Sequence, residues 1–162
     1  MKKVFLTIIM SIFLTSLISC QSNKVKFKVI EQKPSVIAHK EFSFNTTEEE
    51  VIIYKSVEQM QEDLNKKGFS ITDKAFSDKY NDKYFEKKAL AIIYGCDPNG
   101  GYVYNFKSLT INNNELVLNV TYKMRDGDGI TVLIERLFTI EIMKKDIKEF
   151  NKLKCKIKGD IN

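Results

Sequence analysis

"ALAIIYG", residues 89–95, holds seven residues without a charge, and apolar side chains stand at both odd and even positions. A strand with one wet face alternates apolar and polar residues; an unbroken apolar run predicts a strand buried on both faces. Such a strand needs a sheet around it and a second layer of structure over it. The chain on either side supplies candidates for both.

Downstream the pattern stays strand-like. "YVYNFKSLTI" (102–111) alternates Tyr102, Tyr104, Phe106 and Ser108 against Val103, Asn105 and Lys107. "INNNELVLNVTYKM" (111–124) opens with an asparagine turn and then sets Leu116, Leu118, Val120 and Tyr122 on one face. "GITVLIERLFTIEIMKK" (129–145) ends with Phe138, Ile140 and Ile142 on one side and Thr139 and Glu141 on the other. Four successive strands with short connections predict an α+β fold: a small antiparallel β-sheet of four or more strands with one or two helices packed on it. From Asp146 the tail is basic, and Ile147, Phe150 and Leu153 at helical spacing predict a short helix over residues 146–162.

Upstream, "EEEVIIYKSVEQMQEDLNKKGFSI" (48–71) begins the folded body, taken as residues 48–145. Val51 to Lys55 suits a strand. Ser56 and Gln59 form a capping box, Val57, Met60 and Leu64 follow at helical spacing, and Gly68 closes the helix. The acids Glu58, Glu62 and Asp63 read as its solvated face. Between 69 and 88, Phe69, Phe76, Tyr80, Tyr84 and Phe85 sit among lysines balanced by Asp73, Asp78, Asp82 and Glu86, which favours core packing over a nucleic-acid platform. Residues 20–47 are polar and lysine-rich and read as a tether, with Val25, Phe27 and Val29 marking an edge strand and Val36, Ile37, Phe42 and Phe44 another short candidate. His39, the single histidine, has no companion ligand nearby.

The first residues, "MKKVFLTIIMSIFLTSLISC", carry two lysines, an apolar stretch and small residues before Cys20, the order of a secretion signal. Leu17, Ile18, Ser19 and Cys20 resemble the bacterial lipobox. That resemblance implies cleavage of residues 1–19 and a lipid on Cys20, a diacylglycerol with palmitate as its expected acyl group. The apolar stretch is short and dotted with hydroxyls, where a spanning helix wants about 20 apolar residues. The expected location is therefore the bacterial cell envelope, on the exported side, anchored to the membrane through Cys20. About 143 residues then remain, enough for one domain.

The formal charge of +5 falls to +3 when Lys2 and Lys3 leave with the signal. Among 26 basic residues only Arg125 and Arg136 are arginines. Scattered lysines suit solubility and attraction to anionic lipid, and no nucleic-acid partner is expected. Past the lipid cysteine stand Cys96 and Cys155, an even pair that in an exported domain can form a disulfide, or else two unrelated thiols.

Chemistry is sparse. There is no nucleophile elbow, phosphate-cradling loop or zinc helix, so no catalytic residue, metal or cofactor is expected and the chain reads as a non-enzyme. "DGDG", Asp126, Gly127, Asp128 and Gly129, begins like a calcium loop, but Ile130 and Thr131 stand where the third oxygen ligand and the glycine belong. A tight turn accounts for it with less. "GCDPNGGYVY" (95–104) offers only Asp97 and Asn99 as oxygen donors.

A strand ending in glycine, a short proline loop, Gly-Gly-Tyr, two strands, a Gly-x-Gly turn and a closing strand together resemble the C-terminal domain family of the protease-complex subunit PrcB. Its Pro-Thr-Gly-Gly-Tyr is matched by Pro98, Asn99, Gly100, Gly101 and Tyr102, its second turn by Gly127 and Gly129, and its closing strand by residues 130–142. The likeness covers residues 85–145; Asn99 replaces the family threonine, and the prolines of the second turn are absent. It implies a noncatalytic protein-binding role, as an accessory or stabilising subunit for a membrane-associated protease or another envelope protein. Asp97, Pro98, Asn99, Gly100, Gly101 and Tyr102, with the 126–129 turn, are then the partner-binding loops. The same letters resemble the Asn-Pro-Thr-Thr-Gly-Tyr loop of the chagasin-type cysteine protease inhibitors, whose third loop is echoed by Arg136 and Phe138. Inhibition is thus the alternative, and a small-molecule or lipid-binding domain a third, which requires a sizeable apolar pocket.

Overall fold

The alternation of lysine with Val25, Phe27 and Val29 is enough to start a half-buried strand, and the chain uses it to close a sheet. In the computed structural model, which describes residues 23–38, 48–97, 101–124 and 134–159, the strands are β1 (Asn23–Val25), β2 (Phe27–Gln32), β3 (Ile37–Ala38), β4 (Glu48–Tyr54), β5 (Ser70–Ile71), β6 (Lys88–Asp97), β7 (Tyr102–Asn112), β8 (Glu115–Met124), β9 (Ile134–Met143) and β10 (Lys152–Gly159). Helices α1 (Val57–Lys66), α2 (Lys74–Lys79) and α3 (Asp82–Phe85) lie between β4 and β6.

Eight strands form one sheet in the order β1-β7-β8-β10-β4-β6-β9-β2. Its two edges, β1 and β2, are consecutive in the chain and separated only by Lys26. One run of backbone therefore pairs with β7 on one side and with β9 on the other, and curls the sheet nearly into a barrel. Closure covers part of each edge, Leu109–Ile111 of β7 and Leu137–Ile142 of β9, that would otherwise invite another strand. The small β3-β5 ribbon ties the segment after β2 to the helices.

The sheet is larger than the four-stranded one expected, and it is mixed: β8 and β10 run parallel, while the other pairs are antiparallel. The tail supplies the difference. Residues 152–159 are a strand set between β8 and β4, not the helix that Ile147, Phe150 and Leu153 suggested. Leu153, Cys155 and Ile157 are buried between lysines, a strict two-residue period that prevails because the barrel has an open place between β8 and β4. Nor is the segment from residue 23 a tether, since β1 and β2 are wall strands; His39, Phe42 and Phe44 lie outside the described residues.

β6 is buried on both faces, as its unbroken apolar run predicts. Ala89, Ala91 and Ile93 face the barrel interior with Ile53, Leu118, Val120, Ile140 and Leu153. Leu90 and Tyr94 face the other way, under Met60, Leu64, Phe69, Phe76, Tyr80 and Phe85 from the helical layer. Ser56 Oγ accepts from the Gln59 N–H at 3.1 Å, and Gln59 Oε1 accepts from the Lys55 N–H at 2.8 Å, one residue before the donor a capping box would use. Gly68, at φ 77°, ends α1 in the left-handed conformation that glycine adopts without strain.

The β7–β8 turn is made by Asn113 and Asn114, both at positive φ as a two-residue hairpin of this hand requires. A bulge between Phe106 and Ser108 shifts the parity of β7. Tyr104 and Phe106 point inward before it, Leu109 and Ile111 after it. Ser108, expected on the tyrosine face, instead accepts a hydrogen bond from Asn119 Nδ2 at 3.1 Å.

Candidate functional site: the tyrosine-rich end of the barrel

The two glycine-bearing segments are carried by four strand ends whose pairing is fixed. Asp97 at the end of β6 lies opposite Ile134 at the start of β9. Tyr102 at the start of β7 lies opposite Met124 at the end of β8. Asp97 and Tyr102 are joined by four residues, so the two pairs lie within about 17 Å of each other. Both segments thus leave the same end of the barrel. Pro98, Asn99 and Gly100, and Asp126, Gly127, Asp128 and Gly129, lie outside the described residues; Gly101 and Tyr102 are within them and half-buried.

That end is lined by aromatic rings because β7 and β8 both turn alternate side chains inward. Tyr104 lies opposite Tyr122 across the ladder. The Tyr102 and Tyr122 rings are 5.0 Å apart edge to face, and Tyr104 and Tyr122 6.2 Å. Tyr104 then leans on Phe138 at 5.8 Å, and Phe106 on the same ring at 5.0 Å, so the cluster grades into the core. Its outer members are half-buried, with one surface packed and one wet. Beside them stand Met124 and Ile134, 48% and 38% exposed, the large exposed hydrophobics among the described residues. Gly159 reaches the same level, and a Cβ there would meet the Tyr122 ring at 3.4 Å.

A polar cluster that the sequence did not single out lies under the helices. Glu141 was expected on a plain polar side of its strand, but α2 covers it and its side chain is 5% exposed. Lys79 Nζ donates to its Oε1 at 2.9 Å and Lys88 Nζ to its Oε2 at 3.2 Å. Tyr80 Oη stands 3.0 Å from Thr139 Oγ1 and 3.3 Å from Glu141 Oε1, and Gln32 Nε2 donates to Thr139 Oγ1 at 3.1 Å. Burial pushes the Glu141 carboxyl up, but the hydrogen bonds from Lys79 and Lys88 outweigh it and hold the group below the usual carboxylate range. Burial likewise lowers Lys79, and its bonds to Tyr80 and Glu141 reverse the sign, leaving it raised. Tyr84 is pushed far up by burial, then by the Glu141 and Tyr80 charges. The cluster pairs the buried Glu141 carboxylate and pins α2 to β9, with both lysine side chains still partly exposed. Nothing in the local sequence signals it, because Lys79 and Glu141 meet only through the fold.

Between α1 and the sheet, Tyr54, Leu64, Phe69, Ile92 and Tyr94 line a cavity of about 70 Å³, room for about two waters. Tyr54 Oη donates to Asp63 Oδ2 at 2.6 Å across it; burial first, then Asp63, drives that phenol well above its usual range. Among the described residues no three His, Cys, Asp or Glu side chains converge as a metal site would need. Cys155 is buried in the barrel on β10, and β4 runs between it and the β6 backbone of Cys96. Two ladder steps of about 4.8 Å exceed the roughly 7 Å between Cα atoms that a disulfide spans. Arg136 and Phe138 lie within β9: Arg136 pairs with Glu31 at 2.5 Å, and Phe138 is buried in the barrel. They do not form an exposed loop.

Comparison with protein-family models, with curated proteins and with solved structures found no match.

Proposed function

We propose that the chain is a lipoprotein of the cell envelope, held at the membrane through Cys20, whose barrel binds a partner protein at its tyrosine-rich end. The partner we assign is a membrane-associated protease, with the chain in the noncatalytic accessory role that the PrcB-like resemblance implies. The observation that carries this reading is the convergence of both glycine-bearing segments on one end of the barrel. Half-buried tyrosines with exposed Met124 and Ile134 give that end the composition of a protein interface, where Tyr and Met are enriched. Asn23, the first described residue, lies opposite Ile111 at the far end of β7, about 30 Å along the strand, so the tyrosine-rich end points away from the anchor.

Photo-crosslinking residues placed at Met124 and Ile134 in the full chain, expressed in its own cells, test the idea. Adducts with a membrane protease component at both positions, and none at Asn114 on the opposite turn, are expected. Absence of any adduct at both Met124 and Ile134 rejects it.

The inhibitor reading draws on the same convergence, since inhibitors of the chagasin type block a cleft with loops from one end. Purified chain that leaves papain-like proteases fully active removes it; inhibition lost when Gly100 and Gly101 are replaced by bulky residues supports it. The ligand-binding reading is the weakest of the three, because side chains fill the barrel interior and the apolar cavity beneath α1 is small.

A further inference from the structure

The end of the barrel opposite the tyrosines carries an excess of lysine over acid that the partner-binding reading leaves unused. Lys24, Lys26 and Lys28 alternate with inward-facing Val25, Phe27 and Val29, so all three project outward and are exposed. β2 begins with Phe27 opposite Ile142, and β6 begins with Lys88 opposite Met143, which places the end of β9 between the two. The chain leaving β9 adds Lys144, Lys145 and Lys148, and the Lys144 N–H donates to the Lys87 carbonyl at 3.0 Å. Lysines from three separate segments therefore share one rim. Only Glu86, Asp146 and Glu149 oppose them within those segments. Lys24, Lys26, Lys28, Lys87, Lys144, Lys145 and Lys148 form no ion pair among the described residues, whereas Lys79, Lys88 and Lys152 do.

We infer that this lysine rim is a docking face for anionic phospholipid headgroups, and that it holds the barrel upright on the membrane with its tyrosine-rich end outward. The inference rests on the N-terminal membrane attachment proposed above. Cys20 is three residues from Asn23, a reach of about 10 Å, so an anchor at Cys20 keeps the rim close to the bilayer surface. That distance is comparable to the screening length of about 8 Å at physiological salt, within which surface charge is felt. Each lysine near an anionic leaflet shifts the balance between docked and undocked orientations about five-fold, so three shift it about a hundredfold. Lysine suits this task, because a headgroup layer asks for point charges and not for a fixed fork.

The test is lysine footprinting of the full chain reconstituted in vesicles, with a membrane-impermeant acetylating reagent and mass spectrometry. In vesicles containing phosphatidylglycerol, labelling of Lys24, Lys26, Lys28 and Lys145 is expected to fall several-fold relative to phosphatidylcholine vesicles and to recover in high salt. Exposed Lys123 and Lys158, at the other end, are expected to label equally in both. A variant with Lys24, Lys26 and Lys28 replaced by Gln should lose the difference at Lys145 while folding as before, since these are surface positions. Equal rim labelling in both vesicle types overturns the inference. Protection by soluble polyglutamate without protection by anionic vesicles also overturns it, in favour of an acidic protein segment. The acyl mass on Cys20 is read from the same digest. Its absence counts against the lipid anchor alone, because the uncleaved apolar stretch 4–18 would attach the chain at the same end.

Discussion

The two faces of β9 are both buried, and they are built by different rules. Toward the barrel it presents Phe138, Ile140 and Ile142, whose only requirement is apolar volume. Toward the helices it presents Leu137, Thr139 and Glu141, where two of three side chains are polar and every polar atom needs a partner. The inner face is satisfied by any close packing. The outer face tolerates a carboxylate only because Lys79, Lys88 and Tyr80 arrive from α2 and from the start of β6.

The sharpest way to break this contrast is to open a hole on the inner face. Ile140→Ala removes a fully buried side chain and is expected to cost about 2–5 kcal/mol, read as a lowered denaturant midpoint with an unchanged slope. On the outer face Glu141→Gln should cost about 2 kcal/mol at neutral pH, the scale of hydrogen bonds to a charged group, tempered because both lysines can turn to water. Its signature is pH dependence. The folded carboxyl titrates below its unfolded value, so its contribution is fully present above about pH 4.3 and is lost as pH falls through the lower folded value. The gap between wild type and Glu141→Gln should therefore close in acid, whereas the deficit of Ile140→Ala should not. A Glu141→Gln deficit that stays constant down to pH 2 would show that the carboxylate acts by shape alone. Met124→Ser and Ile134→Ser, on neither buried face, should change stability by no more than about 0.5 kcal/mol while abolishing any partner adduct.

Several elements were legible because their cause is local. The unbroken apolar run of β6 needs two covering layers wherever it sits, and it has them. Ser56, Gln59 and Gly68 mark the ends of α1 through hydrogen bonds within five residues and a single backbone angle. The paired asparagines at 113 and 114 make their turn for the same reason. Other features were hidden because two patterns overlap or a partner is remote. In the tail, Leu153 belongs both to a helical spacing with Ile147 and Phe150 and to a strand period with Cys155 and Ile157, and only the place between β8 and β4 chooses. The bulge beside Lys107 reverses the faces of β7 without any glycine or proline to announce it. Of the candidate site, the two glycine-bearing segments were visible in the sequence, but that the strands flanking them end together depends on strand register.

Sequence alone therefore determined the pieces whose energetics are settled within a few residues: the doubly buried strand, the capped helix and the asparagine turn. Only the tertiary structure decided that Asn23 to Gln32 closes the sheet, that the C-terminal strand enters its middle, and that Glu141 is held by Lys79 and Lys88. Each of these joins residues far apart in the chain. Their contacts become favourable only after the cost of closing the intervening loops has been met, and no local pattern records which distant partner will meet it.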